Sequence, residues 1–444
     1  MSLKKLLFLC TIVLITACTG SKSSKDGTIP DDATIIHNNQ QQLTSVIVYD
    51  VFSPPVASRI YAYTSLAAYE AVRFHKKGYP SLTAQLHDFP AMPIPEEGKE
   101  YNFILAATKA FFEVARNVKI FSYDSTLTYQ QQLFTNYQDQ LDEEIFNRSV
   151  SFGEAVAKKI LERVAKDQYK ETRAMEKYLG SKDPGKWQPT SPDYSDGVEP
   201  FWSLLKPLAM DSAGHCKAIP APRFNTDTTS DFYKVAYEVY SIGKNLTEDQ
   251  KTIARYWDDN PFVTEHAGHL MYGNKKITPV GHWMGITTIA AKMKNVDAVE
   301  AAQANAMTAI AMYDAFIACF DEKYKSQLVR PITVINELID RNWQPLLQTP
   351  AFPEHTSGHS TISAAAASVL THRFGDNFKF EDTSDMAYIG MKRSFNSFLE
   401  AAQEASISRV YGGIHYRTGI DAGNKQGLEV ARLINERIHL REKG

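Results

Sequence analysis

The stretch "FPEHTSGHSTISAAAASVLTHRFG" (352–375) joins a short polar segment with two histidines to an alanine-rich run. From Gly358 onward it predicts a helix: Ser357 stands where an N-cap belongs, and Gly375 stands where the helix must stop. A Ser-Gly pair at a helix start offers a hydroxyl, free backbone N–H groups and the positive end of the helix dipole, which together suit an oxyanion. The same pair is also an ordinary serine cap. Ser357 and His359 raise the question of a nucleophile beside its base, but "HTSGHST" lacks the Gly-x-Ser-x-Gly elbow of serine hydrolases.

Helical patterning extends outward from this stretch in both directions. Apolar residues recur three and four apart over 56–76, 102–118 and 129–167, and again over 230–257, 283–293 and 296–325. That period belongs to helices with one buried face. Alternating Val, Ile and Thr runs joined by hairpin turns are absent, so the expected fold is an all-α multi-helix bundle. Residues 177–225 break the pattern with Pro, Gly and Ser around Trp187 and Trp202, as expected of a joining segment or a cover over a site. The expected organisation is an N-terminal helical region, 41–225, ending in that segment, followed by a C-terminal helical core, 226–444.

The 444 residues are 43% hydrophobic and 22% charged, with a formal charge of −3, which describes a globular chain. A nucleic-acid partner is not expected, because binding phosphates requires concentrated positive charge. The start of the chain reads as an export signal, with Lys4 and Lys5 ahead of an apolar run from Leu6 to Ile15. "ITAC" (15–18) resembles a bacterial lipobox, which would make 1–17 the signal, Cys18 the lipidated residue and 18–40 a flexible tether to a membrane. Cys216 and Cys319 remain; they could pair once in an exported protein, and the apolar surroundings of Cys319 favour a buried free thiol.

Three late segments hold the chemistry. In "KYKSQLVRP" (323–331) Lys323 and Arg330 flank a turn, since Pro331 suits the first turn of the next helix. Ser357, Gly358 and His359 form the second segment. In "SRVYGGIHYRTGIDAG" (408–423) Arg409 ends one helix, Gly412 and Gly413 stop it, and His415 and Asp421 follow. Each segment alone is unremarkable, for cations near helix ends commonly face solvent or the helix dipole.

Together, Lys323-x6-Arg330-Pro331, Ser357-Gly358-His359 and Ser408-Arg409-x5-His415 resemble the three-part signature of vanadium-dependent haloperoxidases and type 2 phosphatidic acid phosphatases, which bacterial acid phosphatases share. The resemblance covers about residues 314–423 and implies a largely α-helical bundle. It implies an anion cradle of Lys323, Arg330 and Arg409 with Ser357 and the Gly358 N–H as neutral donors. In a haloperoxidase, His415 would coordinate the vanadium of a vanadate cofactor, and His359 would assist proton transfers while hydrogen peroxide oxidises a halide. In a phosphatase, which needs no cofactor, His415 would attack the phosphate ester and His359 would protonate the leaving alcohol. The size and the soluble helical N-terminal half favour the haloperoxidase. A non-catalytic oxyanion-binding lipoprotein would need neither histidine. Two departures stand out: Thr356 replaces a common proline, and Asp421, the acid expected to orient His415, follows it after five residues rather than three.

Other histidines have less context. His266 and His269 have a spacing that could seat a metal but lack a third ligand. His282 with Trp283, and Asp258 with Asp259, are candidates to line the pocket or bear on His359. His355 is a candidate for peroxide or halide handling, or a plain loop residue.

Overall fold

The computed structural model describes residues 30–442 apart from 119, 268, 269 and 274. The export signal, Cys18, most of the expected tether and His269 lie outside the described residues. The N-terminal region folds as α1 (Asp32–Tyr49), α2 (Pro54–Val72), α3 (Phe103–Asn117), α4 (Asp124–Gln138), α5 (Glu143–Val164) and the single turn α6 (Tyr169–Thr172). After an irregular stretch come α7 (Asp231–Lys244), α8 (Glu248–Tyr256), α9 (Pro279–Met293), α10 (Ala298–Ser326), α11 (Pro331–Leu338), α12 (Gly358–Phe374), α13 (Met386–Ile389), α14 (Phe398–Tyr411) and α15 (Arg417–Arg437). Two short antiparallel hairpins interrupt the helices: β1 (Thr264–Ala267) with β2 (Leu270–Gly273), and β3 (Phe380–Asp382) with β4 (Arg393–Phe395). The bundle is all-α in class.

Helices α2 and α10 form its centre. Ser53 caps α2, Pro54 and Pro55 occupy its first turn, and every residue from Pro55 to Val72 is buried. A helix buried all round must lie inside the bundle rather than on its surface. Its Arg59 is matched there by Asp167 at 2.7 Å. Tyr63 of α2 meets Tyr313 of α10 with ring centroids 6.2 Å apart, and one hydrophobic cluster runs from Ile35 to Ile438. The regions 41–225 and 226–444 therefore share a core.

Three local differences from the sequence reading have clear causes. Residues 32–40, expected in the tether, belong to α1: Asp31 caps it through the Thr34 N–H at 3.1 Å, and Ile35 and Ile36 are buried. Its polar string "HNNQQQ" hides the helix from a hydrophobic pattern, because Asn39 is itself buried and donates to Thr108 Oγ1 at 3.0 Å. The run 129–167 divides at 139–142, where Glu143 and Glu144 open α5 and interact favourably with its dipole. The run 230–257 divides where Thr247 and Gln250 form a capping box for α8.

The Pro- and Gly-rich segment is a strap packed around the C-terminal half of α10. Trp187 and Trp202 are fully buried. Val198 N–H donates to Ala351 O at 2.8 Å, and Val329 N–H donates to Gly185 O at 3.0 Å. The N–H groups of Leu208, Ala209 and Met210 all donate to the buried Asp314 carboxylate, at 2.7, 2.8 and 2.8 Å. Cys216 and Cys319 are buried free thiols. No helix among the described residues is long and apolar enough to cross a membrane.

Helix α12 lies on a glycine face of α15. A Cβ at Gly427 would stand 2.0 Å from Thr361 O, and one at Gly423 would stand 2.8 Å from Ser357 O. This approach sets the height of the α12 N-terminus. Gly427→Ala is expected to destabilise the protein by about 1–3 kcal/mol, read as a lower melting temperature.

Candidate active site

The site forms where α10, α12 and α14 end or begin near one another. Lys323 lies in the last turn of α10, and Arg330 is the N-cap of α11. Both are fully buried. Lys323 Nζ donates to the carbonyls of Pro353 (2.9 Å) and Glu354 (3.1 Å), which leaves its third N–H uncommitted. Arg330 Nε donates to Phe352 O at 2.8 Å, Nη1 donates to Ile414 O at 2.8 Å, and Nη2 has no partner. Arg409, in the last turn of α14, donates to Ser408 Oγ at 2.9 Å and to the Trp257 carbonyl. Among the described residues none of the three cations has a carboxylate at ion-pair distance. Burial pushes the Lys323 ammonium down to about 7, reinforced by Arg330, and pushes Arg330 and Arg409 down to about 10.

His415 follows α14 in the turn made by Gly412 and Gly413, where Gly413 adopts φ +77°. Two contacts fix its tautomer. Glu354 Oε1 accepts the Tyr416 N–H at 3.0 Å, so it serves as acceptor for His415 Nδ1–H at 2.8 Å as well. On the other side Arg330 Nη1 donates to His415 Nε2 at 3.1 Å, which requires a lone pair there. Burial, with Arg330, Lys323 and Arg409 around it, holds the imidazole well below its ordinary pKa. A neutral histidine thus presents an unprotonated Nε2 beside a guanidinium.

Ser357 caps α12: its Oγ accepts Ser360 N–H at 3.4 Å, and its own N–H donates to Gly419 O at 3.0 Å. Gly358 and His359 are the first residues of the helix, so its dipole points at the cavity. His359 Nε2 has no hydrogen-bond partner and stands 3.8 Å from Asp259 Oδ2. Burial, then Arg409 and His282, holds it well below its ordinary pKa. Gly358, His359, Arg409 and His415 open together on one cavity, with Phe316 and Phe352 in its apolar wall.

The structure thus gathers Gly358, His359, Arg409 and His415 at one cavity, with Arg330 in contact through His415 and with Lys323 and Ser357 buried alongside. It does not bring in Asp421. That residue is exposed on α15, and Glu354 holds the Nδ1 side of His415 instead. Glu354 lies 61 residues upstream of His415, outside the spacing in which an orienting acid was sought. The one signal for it was a lone carboxylate in the otherwise uncharged "AFPEHTSG". Its place depends on Gly419, where a Cβ would stand 2.2 Å from Oε1.

Of the other candidates, Asp258 and Asp259 line the cavity. His282 is buried behind Asp259, and Trp283 packs α9 on α12 by donating to Ser363 Oγ at 2.8 Å. His355 donates from Nε2 to Ile219 O of the strap at 2.7 Å and takes no part in the cavity wall. Of "EHAGH", His266 lies in β1, and His269 falls outside the described residues.

The comparisons with known proteins agree with this geometry. Residues 303–442 match the family model described as the VCPO second helical-bundle domain. The solved structure of a bacterial vanadium-dependent iodoperoxidase is similar at a TM-score of 0.88 and 43% sequence identity, covering 94% of this chain and 99% of that one. Holo and apo structures of a bacterial vanadium-dependent chloroperoxidase share the fold at TM-scores of 0.69 and 0.67, with 17% and 18% identity. They cover 92% and 87% of this chain and 98% and 94% of theirs. No curated protein matches the chain in sequence. By the iodoperoxidase likeness across nearly its whole length, the chain belongs to the vanadium-dependent haloperoxidase family.

Proposed function

We propose that the chain binds vanadate and oxidises a halide, iodide first among them, with hydrogen peroxide. The observation that carries this reading is the set of three buried cations without a carboxylate partner, with Arg330 Nη2 left unbonded beside the lone pair of His415 Nε2. Buried cations with no carboxylate at ion-pair distance are costly, so the site suits an anion that brings several oxygens. Arg330, Arg409, Lys323, the Gly358 N–H and Ser357 would hold those oxygens, and His415 Nε2 would supply the bond to the metal. Bound vanadate would supply the electrophilic centre that activates peroxide toward a halide.

The remaining work falls to the chain itself. Glu354 holds the His415 proton on Nδ1, and thereby keeps Nε2 available. His359, neutral and unpartnered at Nε2, is placed to take a proton from peroxide and return it to a departing oxygen. Phe316 and Phe352 give the halide an apolar wall. Iodide is the most weakly hydrated and most easily oxidised of the common halides, and the 43% identical relative is an iodoperoxidase, which supports iodide as the substrate.

An unprotonated Nε2 at an anion site could equally attack phosphorus, so phosphate-ester hydrolysis through His415 is the second reading. One experiment separates them. The purified chain should oxidise iodide only with both peroxide and vanadate present, and inorganic phosphate should compete with vanadate. Turnover of a chromogenic phosphate ester that vanadate inhibits, without iodide oxidation, would replace the first reading by the second.

We further infer from Lys4, Lys5 and "ITAC" that the mature chain is tethered to a bacterial membrane through lipid on Cys18. Cys18→Ala should move the protein from the membrane fraction to the soluble one; an unchanged distribution would exclude the anchor.

A further inference from the structure

Behind Asp259 lies a buried cluster that the anion site does not use. His282, on α9, donates from Nε2 to Asp382 Oδ2 at 2.8 Å. Asp382 is otherwise committed, since its Oδ1 accepts the Ser384 N–H (3.0 Å) and hydroxyl (2.6 Å). A neutral imidazole has one N–H, and here it is spent on Asp382. The Nδ1 lone pair then faces both oxygens of Asp259, each at 3.1 Å, and Asp385 Oδ2 at 3.4 Å. Four sets of lone pairs cannot meet in a dry interior without a proton or a cation among them.

A proton, on Nδ1 or on the Asp385 carboxyl that burial pushes up to about 8, or a metal ion could fill that place. A proton makes one good hydrogen bond, whereas three carboxylate oxygens from two residues fan around Nδ1. Asp385 Oδ2 is buried and has no hydrogen-bond partner. A divalent ion satisfies all three residues at once, because ligands about 2.0–2.2 Å from one centre stand roughly 3–3.6 Å apart at angles between 90° and tetrahedral. The ligand atoms of Asp259, His282 and Asp385 all lie within 4.8 Å of one another. The carboxylate on the far ring nitrogen is the usual support of a metal-bound histidine. Asp259 is held at φ +40°, a left-handed conformation that costs energy in a residue with a side chain. It also lines the active-site cavity, so an ion has a route in.

We propose that Asp259, His282 and Asp385 form a binding site for a first-row divalent cation, with Asp382 orienting His282 from behind. An imidazole with two carboxylates suits Zn²⁺ and its neighbours rather than Mg²⁺. The site uses other residues than the anion cradle and adjoins it through Asp259, which stands 3.8 Å from His359 and lines the same cavity as Arg409. A cation there offsets the charge of Asp259 and fixes its carboxylate beside His359.

The test uses the purified full chain, freed of metal with a chelator and titrated with Zn²⁺ alone. One Zn²⁺ per chain should survive desalting and raise the melting temperature. Asp385→Asn should bind at least tenfold more weakly and lose that rise, while its metal-free form should be no less stable than the metal-free parent, having lost an orphaned buried carboxyl oxygen. His415→Ala should bind Zn²⁺ as the parent does. In nitrogen-15 NMR of the parent chain, Zn²⁺ should shift His282 Nδ1 while Nε2 keeps its proton, a readout that stands even where a variant does not fold. A folded parent that retains no Zn²⁺, equal binding by Asp385→Asn, or His282 protonated on both nitrogens in the presence of Zn²⁺ would each overturn the proposal.

Discussion

His359→Ala should lower the turnover number for iodide oxidation by roughly 10²–10⁴-fold while changing vanadate affinity and the KM for iodide by only a few-fold. The expectation rests on where the side chain stands. His359 opens α12 at the cavity, its Nε2 has no partner, and burial beside Arg409 keeps it neutral. On the proposed function it is no ligand to the anion and would contribute to the proton transfers that accompany chemistry more than to the ground state, the pattern of a residue acting in the transition state. Steady-state kinetics at saturating vanadate read the split directly. Equal losses of turnover and of vanadate affinity would place His359 in the anion cradle instead.

Glu354→Ala should weaken vanadate binding by about 10–100-fold, the usual consequence of removing the carboxylate that supports a metal-bound histidine. Asp421→Asn should leave it unchanged. Burial pushes Glu354 up to about 7 against the pull of Arg330 and Lys323, so its carboxylate is held in the protein at some cost. Without it, Nδ1 of His415 loses its acceptor, and the ring is free to place its proton on the nitrogen that must stay bare. Titrating iodide-oxidising activity against vanadate concentration for the two variants distinguishes the acid the structure shows from the acid the spacing suggested. A vanadate affinity in Glu354→Ala within twofold of the parent would mean that Arg330 alone fixes the tautomer.

Much of the bundle was legible because its helices announce themselves. Ser357 and Gly375 bound α12 as expected, and Pro331 opens α11. What escaped was buried polarity. Helix α1 carries Asn39 and Gln40 on a packed face, so a hydrophobic pattern could not find it. The same holds at the site. Cations, glycine and histidines were legible because a family signature orders them along the chain. Glu354 and the joining of His282 to Asp382 were not, since their partners come from segments 61 and 100 residues away. Carboxylates that meet a histidine only in three dimensions leave no local spacing to read.

The fastening of the strap to Asp314 bears on the order in which the chain can assemble. The three N–H groups that close on this carboxylate lie 104 to 106 residues before it. During synthesis the strap is made before α10 exists, so its amides must wait in water until their acceptor arrives and can be buried. Closing so long a loop is entropically slow, and it gains its hydrogen bonds only once α10 has been made. The N-terminal helices can therefore gather early, while the strap locks late. The catalytic end of the bundle, whose cavity joins Pro54 and Pro55 of α2 to residues made after the strap, is completed in that last step.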